Sequence, residues 1–181
     1  ECTAKAHFLE KLLNPLLGHQ DVFGCGIGGF KKIEFTSHGL PKYTFLPTSF
    51  FEYYVPYLVY TGITRNSTSV LKSVTVPDTD TFNPLVSESE NMIMNGNFEK
   101  FLKLIKDGWV EKKRTSKDVL ADKSLQDLDT WLDKYPGCVA HKLCGAGNGG
   151  FFLCFFEKNR LPIDGNFFKV TLSNTGVERV I

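Results

Sequence analysis

What this chain lacks narrows it first. No apolar stretch approaches the ~20 residues that a helix needs to cross a bilayer. The start, Glu1-Cys2-Thr3-Ala4-Lys5, is too polar to read as a signal peptide. Neither sign of charge is in excess: 21 Lys and Arg stand against 20 Asp and Glu, a formal net charge of +1. That leaves no basic field for nucleic acid and no charged tail or membrane-surface helix, so the expected partner is a small molecule. The cysteines Cys2, Cys25, Cys138, Cys144 and Cys154 include no C-x-x-C pair. An odd, unclustered set fits a reducing cytoplasm better than a disulfide framework or a zinc site. His7, His19, His38 and His141 show no metal-ligand spacing and no Ser-His or Cys-His constellation, so no metal site is expected. In that setting the sequon Asn66-Ser67-Thr68 is chance. There is no internal repeat and no low-complexity segment. The first residue is Glu, not Met, and the expectation is that sequence precedes it.

What is present centres on Lys142-Leu143-Cys144-Gly145-Ala146-Gly147-Asn148-Gly149-Gly150, which runs straight into Phe151-Phe152-Leu153-Cys154-Phe155-Phe156. Glycine reaches positive φ without steric strain and exposes its amide, so such a loop is either an anion-binding concavity or a tight hairpin turn. A Walker or Rossmann loop would open a helix, whereas the apolar run after this one reads as a buried strand. Val139 to Leu143 is the strand that enters the loop.

The rest of the chain reads as helices bracketed by strands, an α+β pattern. Phe8, Leu9, Leu12 and Leu13 recur at helical spacing from Ala4 to Leu13. A glycine-dense segment, Gly18 to Phe30, leads to a hairpin built from Lys32-Ile33-Glu34-Phe35 and Tyr43-Thr44-Phe45-Leu46. Pro56 to Thr61 is a strand, followed by a turn and a short helix carrying Val70, Leu71 and Val74. Val76 to Leu85, rich in proline and Asp/Asn, reads as a loop, and Ser87-x-x-Glu90 as the capping box of a helix stopped by Asn95-Gly96. Phe98, Phe101, Leu102, Ile105 and Trp109 mark one face of a longer helix toward Lys112-Lys113-Arg114, whose charges suit its C-terminal dipole. Ser124-x-x-Asp127 caps a further helix with Leu125, Leu128, Trp131 and Leu132 inward. A hairpin around Asn174-Thr175-Gly176 closes the chain.

Chemistry is concentrated in few residues. Asp21, between Gln20 and Val22 on the glycine-flanked segment, is either an acid aimed by rigid backbone or an ordinary turn residue. Lys112, Lys113 and Arg114 read as a solvated helix end, with a sugar-phosphate contact as the alternative. Arg65, just past a strand end, is the better candidate for a ligand crevice.

Taken together, these segments resemble the GHMP kinase superfamily, the group of galactokinase, homoserine kinase, mevalonate kinase and phosphomevalonate kinase. The nearest branch holds D-glycero-D-manno-heptose 7-phosphate kinase and fucokinase-like sugar kinases. Gly18-His19-Gln20-Asp21-Val22-Phe23 with Gly28-Gly29-Phe30 resembles that branch's G-x-Q-D-x-[YF] segment and GG-[FL]-N strand. Leu58 to Arg65 is similar to its L-V-[YF]-T-G-I-x-R, Trp109 to Ser116 to its W-x-x-K-[RK] helix, and Lys142 to Phe152 to its third motif, K-L-x-G-A-G-G-G-G-F. The resemblance covers nearly the whole chain.

It implies a C-terminal domain with a ferredoxin-like mixed sheet and packed helices over residues 51–181, and over residues 1–50 the remnant of an S5-like N-terminal domain. It also implies phosphoryl transfer from ATP, with Mg2+, to a hydroxyl of a sugar or sugar phosphate such as a heptose phosphate. Asp21 would orient or deprotonate that hydroxyl, Gln20, Thr61 and Arg65 would contact the substrate, and Gly145, Ala146, Gly147, Asn148, Gly149 and Gly150 would form the phosphate-side wall. The chain departs from the family pattern in three respects: Asn148 replaces a glycine, residues 157–166 are too few for the usual helix, and P-x-G-L-G-S-S, the ATP-wrapping motif, does not occur in it. The reading is therefore the C-terminal part of a cytoplasmic sugar kinase, inactive alone. The alternative is a non-catalytic GHMP-like module that binds a ligand or partner. Phe8, Leu12 and Phe35 would lack neighbours, so pairing with a missing N-terminal half, a complementing chain or a second copy is expected.

Overall fold

The computed structural model describes residues 2–13, 15, 18–35, 41–64, 79–163 and 165–177, with backbone only for Cys2 and residues 79–82. The chain divides into two compact units, one of residues 1–47 with 171–181 and one of residues 48–170. Every strand pairing is antiparallel, and the fold class is α+β.

The larger unit is organised by its most apolar strand. The elements relevant here are α3 (Phe50–Tyr53), β3 (Tyr54–Tyr60), α4 (Thr79–Met94), α5 (Phe98–Thr115), a 3-10 turn (Lys117–Leu120), α6 (Lys123–Lys134), β4 (Cys138–Leu143), β5 (Phe151–Glu157) and β6 (Phe167–Lys169). The sheet order is β4-β5-β3-β6. β5 is central because alternate residues serve two faces, and both are apolar. Phe152, Cys154 and Phe156 are completely buried in a cluster with Trp109, Val119, Leu125, Leu132 and Leu143. Phe155, on the other pleat, meets the buried ring of Phe50 edge-on at 5.4 Å between centroids. Each such side chain contributes roughly 1.5–3 kcal/mol on burial, so this hairpin anchors the loop between its strands.

Several elements differ from the sequence expectation. The helix α4 starts at Thr79 and carries Pro84 inside it, where a loop was expected, and Ser87 and Glu90 lie mid-helix, not at its start. Leu85 and Ile93, two helical turns apart, are partly and fully buried, and tertiary burial of that face outweighs the amide that Pro84 lacks. The α6 cap is Asp122, whose Oδ1 accepts from Ser124 N at 2.7 Å and Ser124 Oγ at 2.6 Å; Ser124 is itself helical. Trp131 is not inward: it is 41% exposed, and Asp129 is buried in the same helix. The residues of the expected short helix, Val70, Leu71 and Val74, lie outside the described residues, as does Arg65.

The smaller unit holds α1 (Cys2–Leu13), α2 (Gln20–Gly26) and the hairpin β1 (Lys31–Glu34) with β2 (Lys42–Phe45), in the register Lys31↔Phe45 to Glu34↔Lys42. The glycine-dense segment is helical at its start, not a loop. Its glycines permit close approach of the returning chain: a Cβ on Gly28 would stand 2.5 Å from the Asn174 backbone. Gly29 N donates to Ser173 O and Val177 N to Gly26 O, so residues 173–177 pack beside α2, while residues 178–181 of the expected final hairpin lie outside the described residues. Lys31 Nζ donates to the Gly24, Ile27 and Gly29 carbonyls, which closes the C-terminal end of α2.

Candidate functional site

The loop between β4 and β5 is a run of backbone in the left-handed half of conformational space. Gly145, Gly147, Asn148, Gly149 and Gly150 have φ of 68°, 122°, 54°, 139° and 89°. Asn148 is the one side chain among them, and asparagine tolerates this region better than most residues. The loop is fastened on three sides. Cys144 N donates to Phe151 O at 2.9 Å, Asn148 N to Val119 O at 2.8 Å and Gly150 N to Ile63 O at 3.0 Å. Gly150 O accepts from both Thr61 N and Thr61 Oγ1 at 2.9 Å. Lys112 Nζ donates to Gly145 O.

Those bonds define which amides remain. Asn148 and Gly150 spend theirs on protein carbonyls, whereas among the described residues the amides of Gly145 and Ala146 donate to no protein acceptor. Gly145 is exposed and Ala146 partly so, and two successive amides at a left-handed turn form a concavity suited to an anion. The 3-10 turn supports the loop through Val119. Its other residues, with Lys113, Ser116, Ala121 and Gln126, line an open surface depression of about 550 Å³.

Beneath α5 lies a buried ionic network. Asp129 Oδ1 accepts from Trp109 Nε1 at 2.8 Å and is 2.8 Å from His141 Nε2, and Lys113 Nζ donates to Oδ2 at 2.8 Å. Burial opposes the charge on Asp129, but the His141, Lys113 and Trp109 hydrogen bonds outweigh it and hold the carboxyl at about 2. Burial likewise works against a charged His141, yet its hydrogen bonds to Asp129 and Cys138 raise it to about 9. Asp129, Asp133 and His141 come close enough to resemble a cation site. With a lysine, an indole N–H and an imidazolium already directed at Asp129, the donor set suits a structural ion pair and not Mg2+.

The residues singled out in the sequence fall into two groups. The glycine loop, Thr61 and Lys112 are brought together in the larger unit. Asp21 and Gln20 lie side by side, both exposed, in the first turn of α2 in the smaller one. The basic trio occupies the last turn of α5 and also makes bonds there: Lys112 donates to Gly145, Lys113 to Asp129, and the exposed Arg114 to Glu111 at 2.5 Å. Asp129 was not singled out, because nothing in the spacing of a carboxylate on α6 announces the Trp109 and His141 partners that come from other elements.

No family model and no curated protein matches the sequence. Solved structures do match. A Lactococcus lactis galactokinase complexed with galactose aligns with TM-score 0.60 and 16% identity over 79% of this chain and 47% of that one. L. major mevalonate kinase in complex with R-mevalonate aligns with TM-score 0.49 and 18% identity over 66% and 38% of the two chains. Mevalonate kinase from Staphylococcus aureus MRSA252 aligns with TM-score 0.43 and 19% identity over 65% and 37%. The chain spans less than half the length of each. No helix among the described residues is long and apolar enough to cross a membrane. Through the galactokinase match the chain is seen to share an α+β fold with part of a GHMP-type kinase.

Proposed function

We propose that the chain is the C-terminal part of a cytoplasmic, ATP-dependent kinase of the GHMP type, acting on a hydroxyl of a sugar or sugar phosphate, with a heptose phosphate as the leading candidate. The observation that carries the reading is the fastened glycine loop, whose free amides at Gly145 and Ala146 match what a transferring phosphoryl group requires of its protein wall. In this reading Asp21 orients the attacking hydroxyl and accepts its proton. Gln20, Thr61 and Arg65 contact the sugar, Thr61 from a hydroxyl anchored on Gly150. Mg·ATP supplies the phosphoryl group, and its phosphates are gripped chiefly by a P-x-G-L-G-S-S loop that these 181 residues do not contain.

The test has two arms. Calorimetric titration of the 181-residue chain with Mg·ATP is expected to give no micromolar binding. Such binding would point to a phosphate site elsewhere in the chain. The full-length protein, assayed with labelled ATP against hexoses, heptoses and their phosphates, is expected to transfer phosphate. Asp21→Asn there should lower kcat by ~10²- to 10⁴-fold with nucleotide affinity nearly unchanged, because it removes proton acceptance and keeps shape. A rate within threefold of the parent removes Asp21 from the mechanism. Sugar binding without transfer by the full-length protein favours the non-catalytic module.

A further inference from the structure

In the smaller unit α1 meets α2 with a polar stripe, not with its apolar side. Thr3 and His7 are one helical turn apart on α1, and His19, Phe23 and Gly26 follow one another by a turn along α2. The contacts run antiparallel. A Cβ on Gly26 would stand 2.6 Å from Thr3 Cγ2, and the His7 ring centroid lies 5.8 Å from that of Phe23. The His7 and His19 centroids are 4.3 Å apart, with 34° between the imidazole planes. Phe35, just past β1, closes the group at 5.4 Å from His19 and 6.3 Å from Phe23. Phe8, Leu9, Leu12 and Leu13 of α1 meanwhile stand in water.

Nothing polar supports the two imidazoles. Both ring nitrogens of His7 are buried without a hydrogen-bond partner, and the His19 side chain, at the N-cap of α2, accepts no bond from the helix amides. An imidazolium would bring two N–H donors and a charge to the same contact, and a second charge 4.3 Å away would repel the first. The surrounding charges do not offset this. Lys11 continues the Thr3–His7 stripe of α1, and burial, then His7 and Lys11, hold His19 below its ordinary 6.5. Glu10, one turn past His7, and Asp21 of α2 are exposed, and among the described residues neither bonds to these rings. Lys5 lies across α1 from His7. Near β1, Lys31 is directed at the Gly24, Ile27 and Gly29 carbonyls, and Lys32 pairs with Glu34 at 3.5 Å. Residues 173–177, beside α2, carry no ionisable side chain.

We propose that the His7–His19 contact is an acid-sensitive latch, which holds α1 on α2 while both imidazoles are neutral and releases α1 when one of them takes up a proton. The apolar side of α1 contributes nothing to this docking, so a titration at the polar stripe decides between the docked and the released helix. Docking excludes a proton that the released imidazoles accept. The docked form is therefore complete above 6.5 and is lost as pH falls below it. The helix that is uncovered, α2, carries Gln20 and Asp21 in its first turn, but the latch does not depend on a role for either in phosphoryl transfer.

The test is hydrogen exchange of the 181-residue chain, read by mass spectrometry at about pH 7.5 and about pH 5.5, with exchange times scaled to the intrinsic rate at each pH. The chain is diluted until light scattering gives one chain per particle. Peptides from α1 are expected to exchange roughly tenfold faster at the lower pH, the factor reached one unit below 6.5 when a single proton binds only after release, while those from α5 keep their protection. His7→Phe fills the same space with a ring that carries no nitrogen and that tolerates a charged His19, so α1 should stay protected in acid. His19→Gln changes an exposed side chain and removes one of the two rings; it should cut the acid effect to about threefold or less, and it decides the matter if His7→Phe disturbs the packing. Equal scaled exchange of α1 at the two pH values would overturn the proposal, as would an acid effect of full size in His19→Gln.

Discussion

Asp129 is 6% exposed, and an unpaired carboxylate there would be strongly destabilising. It remains charged because donors from two other elements converge on it: Trp109 and Lys113 from α5 and His141 from β4, with Asp129 itself on α6. Lys113 lies 5.3 Å from the Trp109 ring centroid, so cation and indole support each other as well as the carboxylate. The pair fixes the sign of the pH dependence. With Asp129 depressed to about 2, its contribution is present above the ordinary carboxylate range and is lost as pH falls toward 2. With His141 raised from 6.5 to about 9, its contribution is complete below 6.5 and fades as pH rises through 9, on the order of 3 kcal/mol in all. Asp133, Cys138 and Lys106 are the other titratable neighbours of this cluster. Asp129→Asn should therefore cost roughly 3 kcal/mol near pH 6 and, more tellingly, abolish the alkaline decline, because His141 loses the carboxylate that keeps it protonated. Denaturant unfolding at intervals from pH 5 to 9 reads both effects, and an unchanged alkaline slope in Asp129→Asn would assign the decline to another group.

The glycine loop depends on its neighbours as much as on its own composition. A Cβ on Gly147 would stand 2.9 Å from Val119 Cα at a φ of 122°, so Gly147→Ala should destabilise the chain by about 1–3 kcal/mol and detach the 3-10 turn. Asn148→Gly should be neutral or slightly stabilising, since glycine accepts the same φ of 54° and removes Asn148 Oδ1, a buried acceptor with no partner among the described residues. Thermal unfolding of the two variants separates these outcomes, and a loss in Asn148→Gly as large as in Gly147→Ala would show that the side chain is needed. The same elements show what a linear reading reaches. The two strands and the loop between them were legible because a long apolar run next to clustered glycine has few other solutions. The α5 face was legible because Phe98, Phe101, Leu102, Ile105 and Trp109 repeat at helical spacing. The start of α4 was not, since Pro84 and its polar neighbours look like a loop until the burial of Ile93 is known. Nor was the one-residue slip of β4 against β5 between Cys138 and Ala140. Asp129 occupies an inward position of α6 that periodicity assigns to an apolar side chain, and only its partners explain it.

In the smaller unit, apolar side chains of α1 and β2 stand in water. Along α1, Phe8, Leu9, Leu12 and Leu13 are 63%, 60%, 66% and 89% exposed, and Tyr43 and Phe45 of β2 are 49% and 60% exposed. A helix with a large share of its leucine and phenylalanine in water gains about 1.5–3 kcal/mol for each such side chain that a partner covers. With that surface in water, the 181-residue chain is expected to associate with a second copy of itself. Light scattering over a hundredfold range of concentration should show the mass per particle rising from one chain toward two or more. Leu12→Lys with Leu13→Lys should move the transition to at least tenfold higher concentration: two cations placed on α1 remove the apolar gain and add repulsion between copies, while both side chains are already in water in the single chain. A clean monomer across the range, with both leucines intact, would show that this surface is satisfied within one chain and that association is not a consequence of it.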